Sequence, residues 1–314
     1  MSELTSVTSD LRSCVRWGQR QIGRLVRSQS VSERDSSARL SSYPFVSGDG
    51  LRIACDLSNR AVPAPRGEPS LGRSIWFIEA STLESPGACD LLLDQARMEG
   101  TQPSLVIHNG DVVPSGNFHQ KALEVFSDVW SVNISEESDR IHALPIGLEN
   151  FWWRGASELG DYISGYRSLS PDPELRLQRT TGVMASFRVA TNPEVREDLE
   201  RRMGRLGIAN EDVSRMEYRR RLLDTKFVLS PPGNGPDCHR TWEALCMGAV
   251  PVVLRSTLAP SLVAGTPILA VDEWDEVLGL STRDLDDLYV SKISMPTSVC
   301  LMDHWMERLH RSRR

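Results

Sequence analysis

The sequence predicts an α/β protein built from two parallel-sheet units in series, behind an N-terminal Ser/Arg-rich extension. Three observations lead there. Short apolar runs alternate with helix-like segments between residues 74 and 147, the same alternation returns between 180 and 279, and the stretch joining them (148–180) is rich in Trp, Gly, Ser and Pro. Strands that alternate with helices imply a parallel sheet covered on both faces, so each strand reads as a continuous apolar run. A chain of 314 residues also exceeds the size at which one core stops growing, so two domains are expected.

Taken in order, residues 1–70 form the extension. Within 2–42 there are eleven Ser, seven Arg and no Lys. Leu11, Val15, Gly18, Ile22 and Leu25 or Val26 recur at helical spacing, which gives a basic amphipathic helix over residues 9–27. Such a helix either packs on the body, frays, or makes peripheral contact with an anionic membrane surface.

Residues 71–150 are the first unit. Its strands are expected in "SIWFIEA" (74–80), "SLVIHNGD" (104–111), "VWSVNIS" (129–135) and "IHALPIG" (141–147), with helices over 87–100 and 118–126. Residues 151–180 read as a hinge with one short helix. The second unit, 181–295, has strands in "TTGVMASF" (180–187), "KFVLS" (226–230), "VPVVL" (250–254) and "TPILAV" (266–271), and helices near 193–206, 211–224, 239–247, 273–279 and 282–292. A last helix falls within 296–314.

Composition removes several classes of function. Hydrophobic content of 40% with 25% charged residues is ordinary for a soluble enzyme, and a net charge of −6 gives no general attraction to nucleic acid. Any anion site must be local. Cys14, Cys55, Cys89, Cys238, Cys246 and Cys300 form no CxxC pair, and the six histidines form no HxH or HxxxH pair, so neither a disulfide framework nor a metal site is expected. With no membrane-spanning segment or signal peptide visible, the expected location is the cytoplasm, with the inner face of a membrane open to residues 9–27.

The chemistry concentrates in "FVLSPPGNGPDCHRTWEALCMGAVPVVL" (227–254). Ligands in doubly wound sheets sit beyond the carboxyl ends of strands, where loops enter helix N-termini. Here a strand ending near Ser230 runs through a Pro/Gly loop into a helix that stops at Gly248, with Asp237 at the expected N-cap. Gly233 and Gly235, flanking Asn234, permit positive φ and a close approach of an anion to the backbone, while the helix contributes N–H groups and roughly +0.5 charge.

Arg240 is unfavourable for the helix dipole, and an anion in front of the loop explains it, since the guanidinium fork suits phosphate oxygens. Glu243, three residues on and on the same face, suits the two hydroxyls of a ribose. His239 can bond a phosphate or a sugar hydroxyl, or serve the helix end. The expected donor-binding set is Ser186, Arg188, Ser230, Gly233, Asn234, Gly235, Asp237, His239, Arg240 and Glu243. The alternative for Arg240 and Glu243 is an ion pair on a surface helix.

The segment "EYRRRLLDTKFVLSPPGNGPDCHRTWEALCMGAVPVVL" (217–254) closely resembles the signature of exostosin-like glycosyltransferases, including bacterial and viral members with an "SPxGxGxDxHRxWEAL…GxxPVV" pattern. Weaker likeness reaches "LPIGLEN" (144–150), "SFRVATNPEVR" (186–196) and "ILAVDEW" (268–274). The resemblance implies two facing Rossmann-like domains of the GT-B type. In that arrangement the second domain binds a nucleotide diphosphate sugar, with Glu243 on the ribose, and the first binds a glycan or glycoconjugate acceptor, as in polysaccharide biosynthesis. Retaining relatives carry another Glu eight positions before the helix glutamate; this chain has Gly235 there, which points to an inverting displacement.

Inversion needs positive charge at the departing diphosphate and a general base at the acceptor. Arg240, aided by Arg188 at the end of its strand, supplies the first, without a metal ion or other cofactor. For the base, Asp111 in "HNGD" stands first, then His108, then Glu149. "DLD" (284–286) has the form of a metal-binding pair but reads as a capped helix, Cys238 lacks a partner base, and Trp152 and Trp153 suit either a sugar ring or a domain junction. Two other readings share the loop: a non-catalytic nucleotide- or glycan-binding protein and a polyol-phosphate transferase.

Overall fold

The computed structural model describes residues 41–58, 74–134, 136–150, 156–170 and 172–311. The proposed helix over 9–27, Trp152 and Trp153 lie outside them. Among the described residues no helix is long and apolar enough to cross a membrane.

The first unit is a five-stranded parallel sheet with strands in sequence order: β1 (Leu57–Ser58), β2 (Ile75–Glu79), β3 (Ser104–His108), β4 (Asp128–Ser131) and β5 (Ile141–Ala143). Its helices are α1 (Gly48–Ala54), α2 (Pro86–Glu99) and α3 (Gly116–Ala122). Alternation with period two sends neighbouring side chains to opposite faces, and with both faces covered the middle residues of β2 and β3 are all apolar. Ile75, Phe77 and Val106 enter one core, while Trp76, Ile78, Leu105 and Ile107 enter another on the opposite face. α2 starts on Pro86, whose missing N–H costs nothing in a first turn, and ends on left-handed Gly100.

Next come α4 (Ala156–Arg167) and α5 (Pro173–Leu177). The second unit is a four-stranded parallel sheet, again in sequence order: β6 (Thr181–Met184), β7 (Thr225–Leu229), β8 (Val250–Leu254) and β9 (Leu269–Val271). Its helices are α6 (Pro193–Arg205), α7 (Arg215–Leu222), α8 (His239–Cys246), α9 (Pro260–Val263), α10 (Asp275–Leu278) and α11 (Thr282–Ile293), and α12 (Met302–Arg311) ends the described chain. α8 buries Trp242, Ala244, Leu245 and Cys246. It then stops at Gly248, where φ is +74° and an added Cβ would lie 2.3 Å from a Leu169 methyl.

Two features differ from the expectation. Residues 41–58 do not stand with the extension: α1 and β1 complete the first unit, with Phe45, Val46 and Leu51 fully buried. α12 also returns to the first unit rather than closing the second. Val46 N–H donates to Cys300 O (2.9 Å), Met302 N–H to Pro44 O (2.9 Å), and Arg308 lies over the Trp130 ring. Trp305 of α12 has no exposed surface, so truncating it to alanine costs about 3–5 kcal/mol by analogy with other buried aromatics.

The two units meet through side chains as well as the connecting chain. Glu137 of the first accepts bonds from the Ser261 amide and hydroxyl of the second. His239 Nδ1 pairs with Gly147 O at 2.8 Å.

Candidate functional site

Between the carboxyl ends of the two sheets lies a cleft of about 760 Å³. The first unit contributes Asp111, Ile146 and Glu149; the second contributes the ends of β6 and β7 and the start of α8. Of the expected donor set, Ser186, Arg188, Gly233, Asn234, Gly235, Asp237, His239, Arg240 and Glu243 line it. Ser230 does not. It is 2% exposed and its hydroxyl pairs with Thr241 Oγ1 at 2.9 Å, which fastens the end of β7 to α8.

The loop between β7 and α8 is built by tertiary contacts rather than by glycine torsions. Neither Gly233 nor Gly235 has positive φ, contrary to the sequence reading. What Gly235 supplies is room: an added Cβ would sit 2.9 Å from Asn133 Nδ2 and 3.4 Å from Asp111 Oδ1, both from the facing unit. The Gly233 amide closes a turn onto the Gly235 carbonyl at 3.0 Å.

Asp237 is not the N-cap of α8. Cys238 occupies that position, and no side chain caps the helix. The Asp237 carboxylate is drawn away by Trp242 Nε1, 2.9 Å from both oxygens, and by the Ile146 amide at 2.7 Å. Its own amide donates to Asn133 Oδ1. Burial pushes this carboxyl up to about 7, against the lowering effect of those bonds. Asp237 therefore locks the two units together, and the uncapped mouth of α8 stays open to the cleft.

Three arginines converge on that mouth. Arg240 donates from Nε to Ser186 O at 2.9 Å, which leaves its two terminal nitrogens for the cleft. Arg188 is exposed at the cleft edge. Arg196, whose role the sequence did not reveal, is only 4% exposed and hydrogen-bonds Arg188 O, Thr191 Oγ1, Pro231 O and Pro232 O. Among the described residues none of the three forms an ion pair, so the Arg240/Glu243 pair considered above does not form.

The acids of the cleft are partly engaged elsewhere. Glu149 lies 3.6 Å from Arg215, Glu211 pairs with Arg221, and Glu200 accepts from Asn210. Asn210 also bonds Phe187 N and O, both at 3.0 Å, so residues beyond it flank the end of β6 as a wall of the cleft.

Of the three base candidates, His108 drops out. It is 1% exposed, its Nδ1 accepts from the Asn109 amide (2.7 Å) and its Nε2 donates to Pro145 O (2.9 Å). Burial pulls it down to about 4, so it is a neutral structural histidine. Asn109 bonds Asp49, away from the cleft. Asp111 is exposed and faces the glycine loop.

The other signals have structural roles. Cys238 Sγ lies against Pro231 O, and burial raises its thiol, so it is no nucleophile. On α11, Ser281 caps the Asp284 amide and Asp286 pairs with Lys226.

No protein-family model matches the sequence, and no curated protein matches it. Among the solved structures that resemble this chain are three complexes or enzymes of low sequence identity. An alpha-glucosyltransferase (AGT) in complex with UDP shares 11% identity, with 75% of this chain and 80% of that chain covered and a TM-score of 0.34. HepE of Anabaena in complex with UDP shares 13% identity, with 76% and 78% covered and a TM-score of 0.41. An alpha,alpha-trehalose-phosphate synthase (UDP-forming) from Burkholderia vietnamiensis shares 13% identity, with 76% and 71% covered and a TM-score of 0.34.

Proposed function

We propose that the cleft binds a nucleoside diphosphate sugar and transfers the sugar to a hydroxyl of a glycan or glycoconjugate, as an exostosin-like transferase of GT-B arrangement. One observation carries this reading: Arg188 and Arg240 present guanidinium groups that have no carboxylate partner among the described residues, at the uncapped mouth of α8 and across a glycine loop from Asp111. A helix mouth with two cations is a place for a strongly charged anion, and each charge-assisted bond there is worth roughly 1.5–3 kcal/mol.

In this reading the diphosphate lies on the loop, and the ribose lies one helical turn further, against Glu243. The acceptor oxygen attacks the anomeric carbon from the side of the first unit. As the new C–O bond forms, the bond from that carbon to the phosphate oxygen breaks, and the nucleoside diphosphate leaves with the electron pair. The acceptor proton passes to Asp111, which a position opposite the leaving group makes suitable as base. Arg240 and Arg188 take up the charge that develops on the phosphate, a role that does not call for a divalent ion. Attack from the face opposite the leaving group inverts the anomeric centre.

The test is product analysis. Incubation with a panel of UDP-, GDP- and CDP-sugars and glycan acceptors in chelator, followed by mass and anomeric assignment, should give one transferred sugar with inverted configuration. Retained configuration, or a bound nucleotide sugar that is neither transferred nor hydrolysed, would contradict the proposal.

A further inference from the structure

We propose that Arg196 is a positioning residue for this cleft: its buried guanidinium, at the cleft wall, shapes the loop over 230–238 and finds its counter-charge in the diphosphate bound on that loop. The inference rests on reading the cleft as a diphosphate site.

The position of Arg196 follows from its helix. Asn192 caps α6 by accepting from the Val195 amide, and Pro193 opens it. That sets Arg196 in the first turn, pointing under the loop, where Nη2 would lie 3.1 Å from a Cβ added at Gly233. All three of its nitrogens are committed to protein. Nε donates to Pro232 O at 2.8 Å, Nη1 to Arg188 O at 2.7 Å and Thr191 Oγ1 at 2.5 Å, and Nη2 to Pro231 O at 3.1 Å. Nη2 also lies 3.9 Å from Cys238 Sγ, so all five N–H groups face protein acceptors, and Arg196, although it borders the cleft, acts on a ligand through the loop that it holds.

Two consequences follow. Pro231 and Pro232 have no N–H groups, so in this stretch the chain offers only carbonyls, and Arg196 gathers both. Because C=O and N–H of one peptide point in opposite directions, holding Pro232 O turns the Gly233 amide away, onto the turn that closes at Gly235 O (3.0 Å). Asn192 Nδ2 holds Gly233 O at 3.1 Å and completes the tie. The same guanidinium holds the backbone of Arg188, so one side chain sets the loop and the second cation together.

The other consequence is electrostatic. Three carbonyls, a hydroxyl and the Cys238 sulfur take up the guanidinium hydrogens without cancelling its charge, and a buried charge that has no counter-ion among the described residues is costly. Burial first, and the neighbouring Arg240 second, act against the charged form of Arg196. An anion on the loop relieves both effects.

The test uses inorganic pyrophosphate, which carries no base or sugar, with UDP, GDP and CDP in parallel. Calorimetry compares the wild type with Arg196→Lys, which keeps the charge but not the planar fork, and Arg196→Gln, which loses the charge. The expected result is a loss of pyrophosphate affinity of about tenfold or more in Arg196→Gln, which removes charge and fork, and a smaller loss of about three- to tenfold in Arg196→Lys, which removes the fork alone. A tie that is only structural would give equal losses in both variants, and a charge that acts without positioning the loop would leave Arg196→Lys within about threefold of the wild type. The inference is overturned by either of those results or by a loss below about tenfold in Arg196→Gln. Should Arg196→Gln fail to fold by circular dichroism, Arg196→Lys decides alone, and a loss outside the range of about three- to tenfold overturns the inference. Wild-type protein that binds none of the four probes would overturn the reading of the cleft itself, and this inference with it.

Discussion

Asp111 and Gly235 face each other across the cleft: a β-carbon on Gly235 would lie 3.4 Å from Asp111 Oδ1 and 2.9 Å from Asn133 Nδ2. The space left by one missing side chain lets a carboxylate of the first unit reach the glycine loop of the second. Gly235→Ala forces Asn133 or the loop to shift by a few tenths of an ångström. Overpacking of this kind costs about 1–3 kcal/mol. Turnover should fall about tenfold or more in steady-state kinetics, with folding intact by circular dichroism; unchanged turnover would show that the two residues do not work together.

Asp111→Asn keeps the shape of the side chain and removes its basicity. Loss of a general base lowers the rate by roughly 10²–10⁴-fold. Affinity for the nucleoside diphosphate, measured by calorimetry, should not fall, because the change removes a negative charge beside the loop on which that ligand is proposed to lie. A variant that still turns over at the wild-type rate would move the base elsewhere, with Glu149 next.

Glu243→Gln separates ribose from diphosphate. A neutral amide replaces the charged acceptor, so a nucleoside diphosphate should bind several-fold more weakly, by about 1 kcal/mol. Inorganic pyrophosphate, which has no ribose, should bind at least as well as before. Equal weakening of both ligands would contradict the ribose assignment.

The pH dependence of stability has two opposing parts. His108, pulled down to about 4 from 6.5 by burial, binds fewer protons in the native than in the unfolded state between those values, so its contribution falls as pH drops from about 6.5 to 4. Asp237, pushed up to about 7 from 3.8 by burial, binds more protons in the native state, so its contribution falls as pH rises from about 4 to 7. They are worth about 3 kcal/mol for His108 and about 4 kcal/mol for Asp237 over their windows, and they largely offset each other in the wild type. Asp237→Asn is expected to lower stability overall, yet its denaturation free energy in urea should rise more steeply with pH between 4 and 6.5 than that of the wild type. Parallel curves would rule out the raised carboxyl.

Much of the fold could be read from the chain because strands buried on both faces are written as apolar runs, as in "IWFIE" and "TKFVL". α1 and β1 were missed since β1 has only two residues and follows a Ser/Arg-rich stretch, while the burial of Phe45 and Leu51 is decided by α12 and its flanking residues at the far end of the chain. In the site, the strand, loop and helix carrying Arg240 and Glu243 were visible as local spacing. The roles of Asp237, His108 and Arg196 were not, because each is fixed by a distant partner: Ile146 for the first, Pro145 for the second, and the carbonyls of Pro231 and Pro232 for the third. Capping preference placed Asp237 on the helix; the competing Trp242 and Ile146 donors took its oxygens.

The central claim is that guanidinium groups and amides at the mouth of α8 hold a diphosphate. Calorimetric titration of UDP, GDP and CDP into wild type and Arg240→Ala, with a chelator present throughout, tests it most directly. The account predicts that at least one nucleoside diphosphate binds the wild type in chelator, and that Arg240→Ala weakens it by roughly 10–100-fold, the worth of one or more charge-assisted bonds. Binding that disappears with chelator, or that is indifferent to the loss of Arg240, would contradict it.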